Sequence, residues 1–549
     1  MNSKGLLDLS RVEVLLQASW RRLYRWGYRC RWLFVVTLLA SVAGHYVIYA
    51  NHLQNFDSLH IGSLYIADFW EFSPRWETQQ GRWGLRFVDM LRGGINHAPL
   101  SAFLLLLLYT LAALLVLRLL QVRARPLRWL IPLTVVLAPY TAEVETYHYC
   151  SAAYALSFFL AVLAVVPVVC GKVRWRFLPG ALCLLLALSL YQASLNVAAG
   201  LSLMILILQL LRSPQEPRTT LCLAGQLLAM GAAGTAGYYL WLKFFLRYYD
   251  TSLAGINGIN LVGLDLIRHL PEGLGNAYQD FGCYFFDHNI AQNYYGQRLA
   301  YLLLFVLTLV VVLRWLVTAC HPRGGALVMT LLALLPAATN LTDVINPNTR
   351  IELRMAGALV LLVPFCLALL DRAPRKAGRL PWSLAAASLC GLILLRGYVV
   401  QINNDAMVML AQKNKIVNLA NRICLQLEQN ADYQAGAQVC ILGEPQKGVY
   451  DTVSPLTEKA SDLAQFGLLS FDPTFNSRGW HSLYWEELGI QMNWCSDEQT
   501  RALCATDTFQ EMPSTRRRVL FKSLTMWWWS RWHPSGKSDK ESVSFSCAI

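Results

Sequence analysis

The chain has 549 residues, 55% of them hydrophobic and only 15% charged, with a net charge of +13. That balance excludes a string of soluble domains: runs such as LSAFLLLLLYTLAALLVLRLL and LAYLLLFVLTLVVVLRWLV approach the roughly 20 residues that cross a bilayer core. The basic surplus is that of inward-facing membrane loops, and no nucleic-acid partner is needed to explain it.

Residues 1–30 come first. LLDLSRVEVLLQASWRRLYRWGYRCRW mixes apolar and basic residues at helical spacing, which suits a helix lying on anionic lipid. The apolar run that follows is long and lacks a small-residue cleavage site, so it reads as an uncleaved anchor. About eleven transmembrane segments are expected, near 31–50, 98–118, 129–141, 150–169, 177–190, 195–211, 219–245, 299–319, 326–340, 355–370 and 381–400.

Lys and Arg orient them. Lys4, Arg11, Arg21, Arg22, Arg25 and Arg29 precede the first span. Alternate loops read RARPLR, GKVRWR, RSPQEPR, HPRGG and DRAPRKAGR, whereas the intervening loops hold the acidic residues. The amino terminus then lies inside and residues 401–549 outside, as an odd number of spans requires. The expected organisation is an interfacial segment at 1–30 and a multispanning core at 31–400. The core carries a first outer loop at 51–97 and a large outer loop at 247–298. A small outer α/β domain at 401–549 follows.

The polar chemistry gathers on the outer side. The first outer loop contains NFDSLHIGSLYIADFWEFSPRWETQQGRWGLRF, with Asp57 just past the first span. GLRFVDMLRGG has the pattern of a helix lying in the interface. YTAEVETYHYC brings Glu143, Glu145 and His148, and TNLTDVINPNTRIELRM brings Arg350 and Arg354. Tyr191 and Gln192 interrupt an apolar stretch at a helix hinge. The span interiors carry almost no charge, unlike an ion pathway or a proton-coupled transporter.

Carboxylates at a lipid surface suit transfer of a group to an acceptor hydroxyl, where a general base removes the proton as attack begins. A lipid-phosphate leaving group needs compensating positive charge. Arg82, Arg350 and Arg354 are candidates, because guanidinium forks match phosphate geometry. Aromatic side chains, with Tyr191 and Gln192 beside them, would line a pocket for a sugar ring or polyprenyl chain. Neither a phosphate-binding Gly-rich loop nor a cytoplasmic soluble domain is evident, so a donor arriving through the membrane is expected.

These features together resemble the serotype-converting O-antigen glucosyltransferases of bacteria and their phages, a family of C-type integral membrane glycosyltransferases. The resemblance rests on Asp57, GRWGLRF at 81–87, APYTAEVETYHYCSAAYALS at 138–157, LSLYQASL at 188–195 and NKIVNLANRI opening the outer tail. It implies a C-type helical membrane fold in the bacterial inner membrane, with a cytoplasmic amino terminus and a periplasmic C-terminal domain. It also implies a polyprenyl-phosphate-linked sugar donor, in all expectation glucose. The acceptor would be a surface glycan such as O-antigen on lipopolysaccharide, glycosylated with inversion by a carboxylate base in the first outer loop. Paired acidic residues are expected there, but this chain reads Asn55-Phe56-Asp57-Ser58. Asp68, Glu71, Glu143 or Glu145 would supply the partner, with Trp83 and His148 as further substrate contacts. Metal dependence stays open between a divalent ion and none. A lipid-linked glycan flippase and a glycan ligase or polymerase are the alternative readings.

The fourteen cysteines form no C-x-x-C pair, so a zinc or redox motif is not expected. The outer tail holds Cys424, Cys440, Cys495, Cys504 and Cys547. In an oxidising compartment, Cys495–Cys504 and Cys424–Cys440 are candidate disulfides. His52, His60, His97 and His148 lack metal-ligand spacing. Arg516–Arg518 and the neighbouring Trp residues read either as a membrane-docking end or as a basic tail.

Overall fold

The computed structural model describes residues 9–55, 57–59, 72–92, 98–171, 175–212, 217–255, 266–287, 290–291, 293–319, 322–349, 351–372, 382–430, 433, 437–441, 460 and 479–506. These are almost entirely helical. Asp68, Glu71, His60, His97, Arg350, Cys547 and the Arg516–Arg518 end lie outside the described residues.

Seven helices among the described residues are long and apolar enough to cross a membrane. They are α1 (Leu9–Ala50), α4 (Ala98–Leu120), α7 (Ser151–Cys170), α9 (Ser194–Arg212), α10 (Pro217–Tyr248), α12 (Tyr295–Ala319) and α17 (Trp382–Gln429). Shorter helices occupy the other four expected positions: α5 (Arg125–Val136), α8 (Phe177–Leu190), α13 (Pro322–Thr339) and the pair α15 (Gly357–Val360) and α16 (Leu362–Leu370). This is a helical membrane protein.

The 129–141 stretch departs from a plain span. Ala138 is extended, as the residue before a proline tends to be, and Pro139 opens a new helix, α6 (Pro139–Thr146). Every residue of α6 is buried, so the turn-sized helix sits inside the bundle mouth and carries Glu143 and Glu145 there. A second break comes at Tyr191, extended at φ −157 and ψ 117, which stops α8 before Ser194 opens α9.

Two buried clamps tie the bundle together. Asp371 accepts from the backbone N–H groups of Arg123 and Ala124, at 2.6 and 3.1 Å, while Arg372 donates to the carbonyls of Leu120 and Leu208. At the opposite end Asn196 exchanges two hydrogen bonds with Thr342, both 2.9 Å, joining α9 to α14 (Leu341–Ile345).

Helix α17 is the longest. Its 48 residues span about 72 Å at 1.5 Å per residue, far more than a bilayer core of ~30 Å, so its second half projects beyond the membrane. Ile416, Leu419, Ala420, Ile423 and Leu427 on that half pack with Val439, Ile441, Trp480, Leu483 and Tyr484 in a separate core. A short parallel pair, β1 (Gln438–Val439) and β2 (Asn493–Trp494), and helix α18 (Asp497–Cys504) complete the described part. Lys413 of α17 donates to the Asn51 carbonyl at 2.8 Å and pairs with Glu487, and Gln54 reaches Glu487 at 3.4 Å. The projecting part thereby closes on the segment that follows α1.

Candidate functional site

The GRWG stretch is held by the YQAS hinge. Gly81 sits at φ +74, a conformation that costs an L side chain about 1–2 kcal/mol. A Cβ there would also meet Gln192 Nε2 at 2.4 Å. Gln192 donates to the Gln80 carbonyl at 2.7 Å, and the Tyr238 hydroxyl donates to the Gly81 carbonyl at 2.9 Å. The Gly84 N–H then donates to the Ser189 carbonyl at 2.9 Å, an approach so close that a Cβ would fall 2.2 Å from Ser189 Oγ. Two motifs a hundred residues apart in sequence are thus one structural unit.

That unit delivers Arg82 and Trp83 in different directions. Trp83 turns toward α10, with its ring 5.1 Å from Phe245 and 6.1 Å from Trp241. Arg82 turns into the bundle. Its Nη1 donates to the Tyr154 hydroxyl at 2.6 Å, and its guanidinium lies 5.3 Å from the Tyr191 ring, which stacks on Tyr154 at 4.2 Å. The aromatic faces orient the cation without neutralising it.

A second cation completes the floor. Arg354, in a 3-10 turn at Leu353–Met355, pairs with Glu352 at 2.5 Å, approaches Asp57 at 3.8 Å and lies over the Tyr147 ring at 4.8 Å. The charges of Arg82 and Asp57 both reach Glu352, and those of Arg82, Asp57 and Glu143 reach Arg354. Asp57, Glu143, Arg82 and Arg354 therefore share one small volume at one end of the bundle.

The carboxylates differ in environment. Asp57 is 40% exposed and faces Arg354. Glu143 is buried, and burial pushes its carboxyl up to about 8 against the opposing pull of Arg354; Asp405, Glu352 and Asp57 add to the rise. It carries its proton at neutral pH. Glu352 is also raised by burial, then by Asp57. Glu145 points away, toward α1, where its carboxylate lies 2.6 Å from His45 Nδ1, while His45 Nε2 donates to the Val136 carbonyl at 3.0 Å. His148 is buried beside this segment.

Glu352, Asp405 and Tyr154 escaped the sequence reading. Glu352 stands two residues before Arg354 in the same segment, a signal open to reading. Asp405 lies at the middle of α17 and accepts from Gln401 at 2.8 Å; its charge reaches Glu143 only through the fold. Tyr154 sat inside an apolar run with nothing to mark it.

An apolar cavity of about 330 Å³ adjoins the site, between α3 (Leu85–Arg92), α4 and α7. Val88, Leu104, Leu108 and Leu156 are among its apolar lining residues, and Asp89 and Tyr149 are polar ones. Tyr149 feels the charges of both Arg82 and Asp57, which links the cavity lining electrostatically to the charged cluster. Helix α3 exposes Phe87, Met90 and Leu91 and buries Leu85, Arg86 and Asp89, the pattern of a helix lying in a membrane interface.

Among the described residues no group of three His, Cys, Asp or Glu side chains is arranged to hold a metal ion.

Comparison with curated proteins and with solved structures found no match to the chain. A protein-family model does match: that of the glucosyl transferase GtrII, over residues 64–365. The matched stretch holds Arg82, Trp83, Glu143, Glu145, His148, Tyr191, Gln192 and Arg354, and begins just after Asp57. With most of the charged floor inside that match, the chain belongs to the GtrII family of serotype-converting O-antigen glucosyltransferases.

Proposed function

We propose that this protein moves glucose from a polyprenyl-phosphate donor to a hydroxyl of the O-antigen glycan, with inversion at the sugar carbon, on the periplasmic side of the bacterial inner membrane. The observation that carries this reading is the meeting of Arg82, Arg354 and the accessible carboxylate of Asp57, with an apolar cavity nearby whose lining residue Tyr149 feels the charges of Arg82 and Asp57. A lipid-linked sugar phosphate has the matching parts: a hydrocarbon chain, an anion and an electrophilic carbon between anion and acceptor. The alternation of basic and acidic loops supports the periplasmic placement, and the mouth helices with their interfacial α3 fit a C-type architecture.

In this mechanism Asp57 accepts the proton of the acceptor hydroxyl as its oxygen bonds to the sugar carbon. The bond from that carbon to the phosphate oxygen breaks, and its electron pair leaves with the polyprenyl phosphate. Arg82 stabilises the charge that develops there; its fixed aromatic box means little reorganisation accompanies the step. Arg354, 3.8 Å from the Asp57 carboxylate, orients it toward the acceptor. Glu143, neutral at pH 7, donates a hydrogen bond to a sugar hydroxyl. Glu352 stays on Arg354 and sets its direction. Asp68 and Arg350 remain candidates for completing the same mouth, and Tyr191, Gln192, Trp83 and His148 shape the pocket. Glu145 serves as the anchor of α6 on α1.

The test is transfer in isolated membranes, with labelled polyprenyl-phosphate glucose and O-antigen acceptor. Asp57→Asn keeps size and removes the base, so a drop on the order of a hundredfold or more is expected with unchanged membrane abundance. Equal transfer by the variant removes Asp57 from the reaction and directs attention to Asp68. No transfer by the wild type refutes the donor.

A further inference from the structure

The outer segment places three cysteines, all thiols in this structure, in one small apolar cluster: Cys440 and Cys495 buried, with Cys504 and Leu503 packed against them. The two pairings suggested by spacing do not suit this geometry. Cys495 precedes the N-cap Ser496 of α18 and Cys504 closes that helix, whose eight residues rise about 10 Å along its axis. That exceeds the separation of about 7 Å a disulfide can bridge. Cys424 and Cys440 face different cores. Val439 and Ile441 pack on the α17 cluster that includes Cys424, so the alternation of an extended chain turns Cys440 to the other side.

The β ladder supplies a different partner. Its parallel register matches Gln438 with Asn493 and Val439 with Trp494, and the next step sets Cys440 beside Cys495. The ladder continues that far, because the Cys495 N–H donates to the Val439 carbonyl at 3.0 Å. Neighbouring strands lie roughly 4.8 Å apart, inside the Cα separation that disulfides use, about 4.4–6.8 Å. Side chains at matched positions leave the same face. Cys504 approaches from the helix: Cys440 Sγ is 3.6 Å from Thr500 Oγ1, and Thr500 lies one turn before Cys504.

We propose that Cys440 and Cys495 are a disulfide in the mature protein, and that Cys504 remains a thiol beside it. The proposal rests on the outward placement of residues 401–549. The bond forms by thiol–disulfide exchange with a disulfide oxidoreductase of that compartment. One cysteine thiolate attacks the oxidant's disulfide and releases one of its thiolates. The second cysteine then displaces the other. The pair gives up two protons and two electrons, and the oxidant leaves as a dithiol. The step precedes burial, during folding.

The bridge would tie the chain leaving α17 to the strand that follows Leu483–Glu487. That stretch supplies the Glu487 contacts to Lys413 and Gln54, so the bond fastens the cover that closes on the segment that follows α1.

The experiment uses the full-length protein taken from membranes with free thiols blocked by N-ethylmaleimide, digested without reductant and mapped by mass spectrometry. A peptide joining Cys440 to Cys495, with Cys504 alkylated, is expected. It should persist in Cys504→Ser and vanish in Cys495→Ser. A link from either residue to Cys504 or Cys547, or alkylation of both, overturns the proposal when a reporter fused to the tail is active outside. If the reporter instead places the tail inside, the topology is at fault. The purified protein is then incubated with oxidised glutathione, where failure to join Cys440 to Cys495 overturns the pairing itself.

Discussion

Glu143→Gln tests the buried carboxyl of α6 against the exposed one of Asp57. The wild-type carboxyl is raised from 4.5 to about 8, chiefly by burial. A group that binds its proton more tightly when folded adds no penalty below its unfolded value. It destabilises the fold progressively as pH rises from about 4.5 through about 8. At about 1.4 kcal/mol per pH unit the full penalty is bounded at roughly 5 kcal/mol, and relaxation with water penetration reduces it to roughly 2 kcal/mol. Gln imitates the protonated acid and does not titrate. Thermal unfolding in detergent should therefore give matching midpoints for both proteins at pH 5. At pH 8.5 the variant should melt roughly 2–4 °C higher. Transfer at pH 7 should stay within a few-fold of wild type, because Gln still donates a hydrogen bond, whereas Glu143→Ala should lose about tenfold or more. A midpoint difference independent of pH refutes the assigned protonation. A loss at pH 7 as deep as that expected for Asp57→Asn makes Glu143 the base and overturns the division of roles.

Other substitutions probe the scaffold. Gly84→Ala forces a Cβ onto Ser189, and should cut transfer more than tenfold as the GRWG turn leaves its hinge, read in the same membrane assay; full activity would show the contact to be dispensable. Arg82→Lys loses the planar fork between Tyr154 and Tyr191, so kcat/KM for the donor should fall about tenfold or more with little change in acceptor KM. His45→Ala leaves the buried Glu145 carboxylate without its partner. That costs about 3–5 kcal/mol and should lower the melting midpoint far more than the double change His45→Ala/Glu145→Ala. Leu108→Trp fills the apolar cavity, and a raised KM for long-chain donor, with a short-chain analogue unaffected, would be the signature of a hydrocarbon chain lying there.

Much was legible in the residues alone. Apolar runs at bilayer length, separated by loops of alternating charge, determine a helical membrane protein, since lipid leaves backbone polar groups no partner outside a helix or closed barrel. GRWGLRF, YTAEVETYHYC and LSLYQASL mark the family, and the polar loops mark Asp57, Glu143 and Arg354 as site candidates, because a carboxylate beside lipid needs a reason to be there. Individual roles were not legible. Glu143 and Glu145 are two residues apart with the same chemistry, yet α6 turns one toward Arg354 and the other toward His45 on α1. Gln192 and Tyr191 looked alike as polar interruptions of a hinge, but the first clamps the Gly81 turn and the second stacks beneath Arg82. Spacing suggested cysteine partners that a helix then separates and a strand register replaces. Composition and periodicity decide which segments enter the membrane because that choice is local. Which side chains meet at its surface depends on helix breaks at Pro139 and Tyr191 and on contacts a hundred residues apart, and those exist only once the chain is packed.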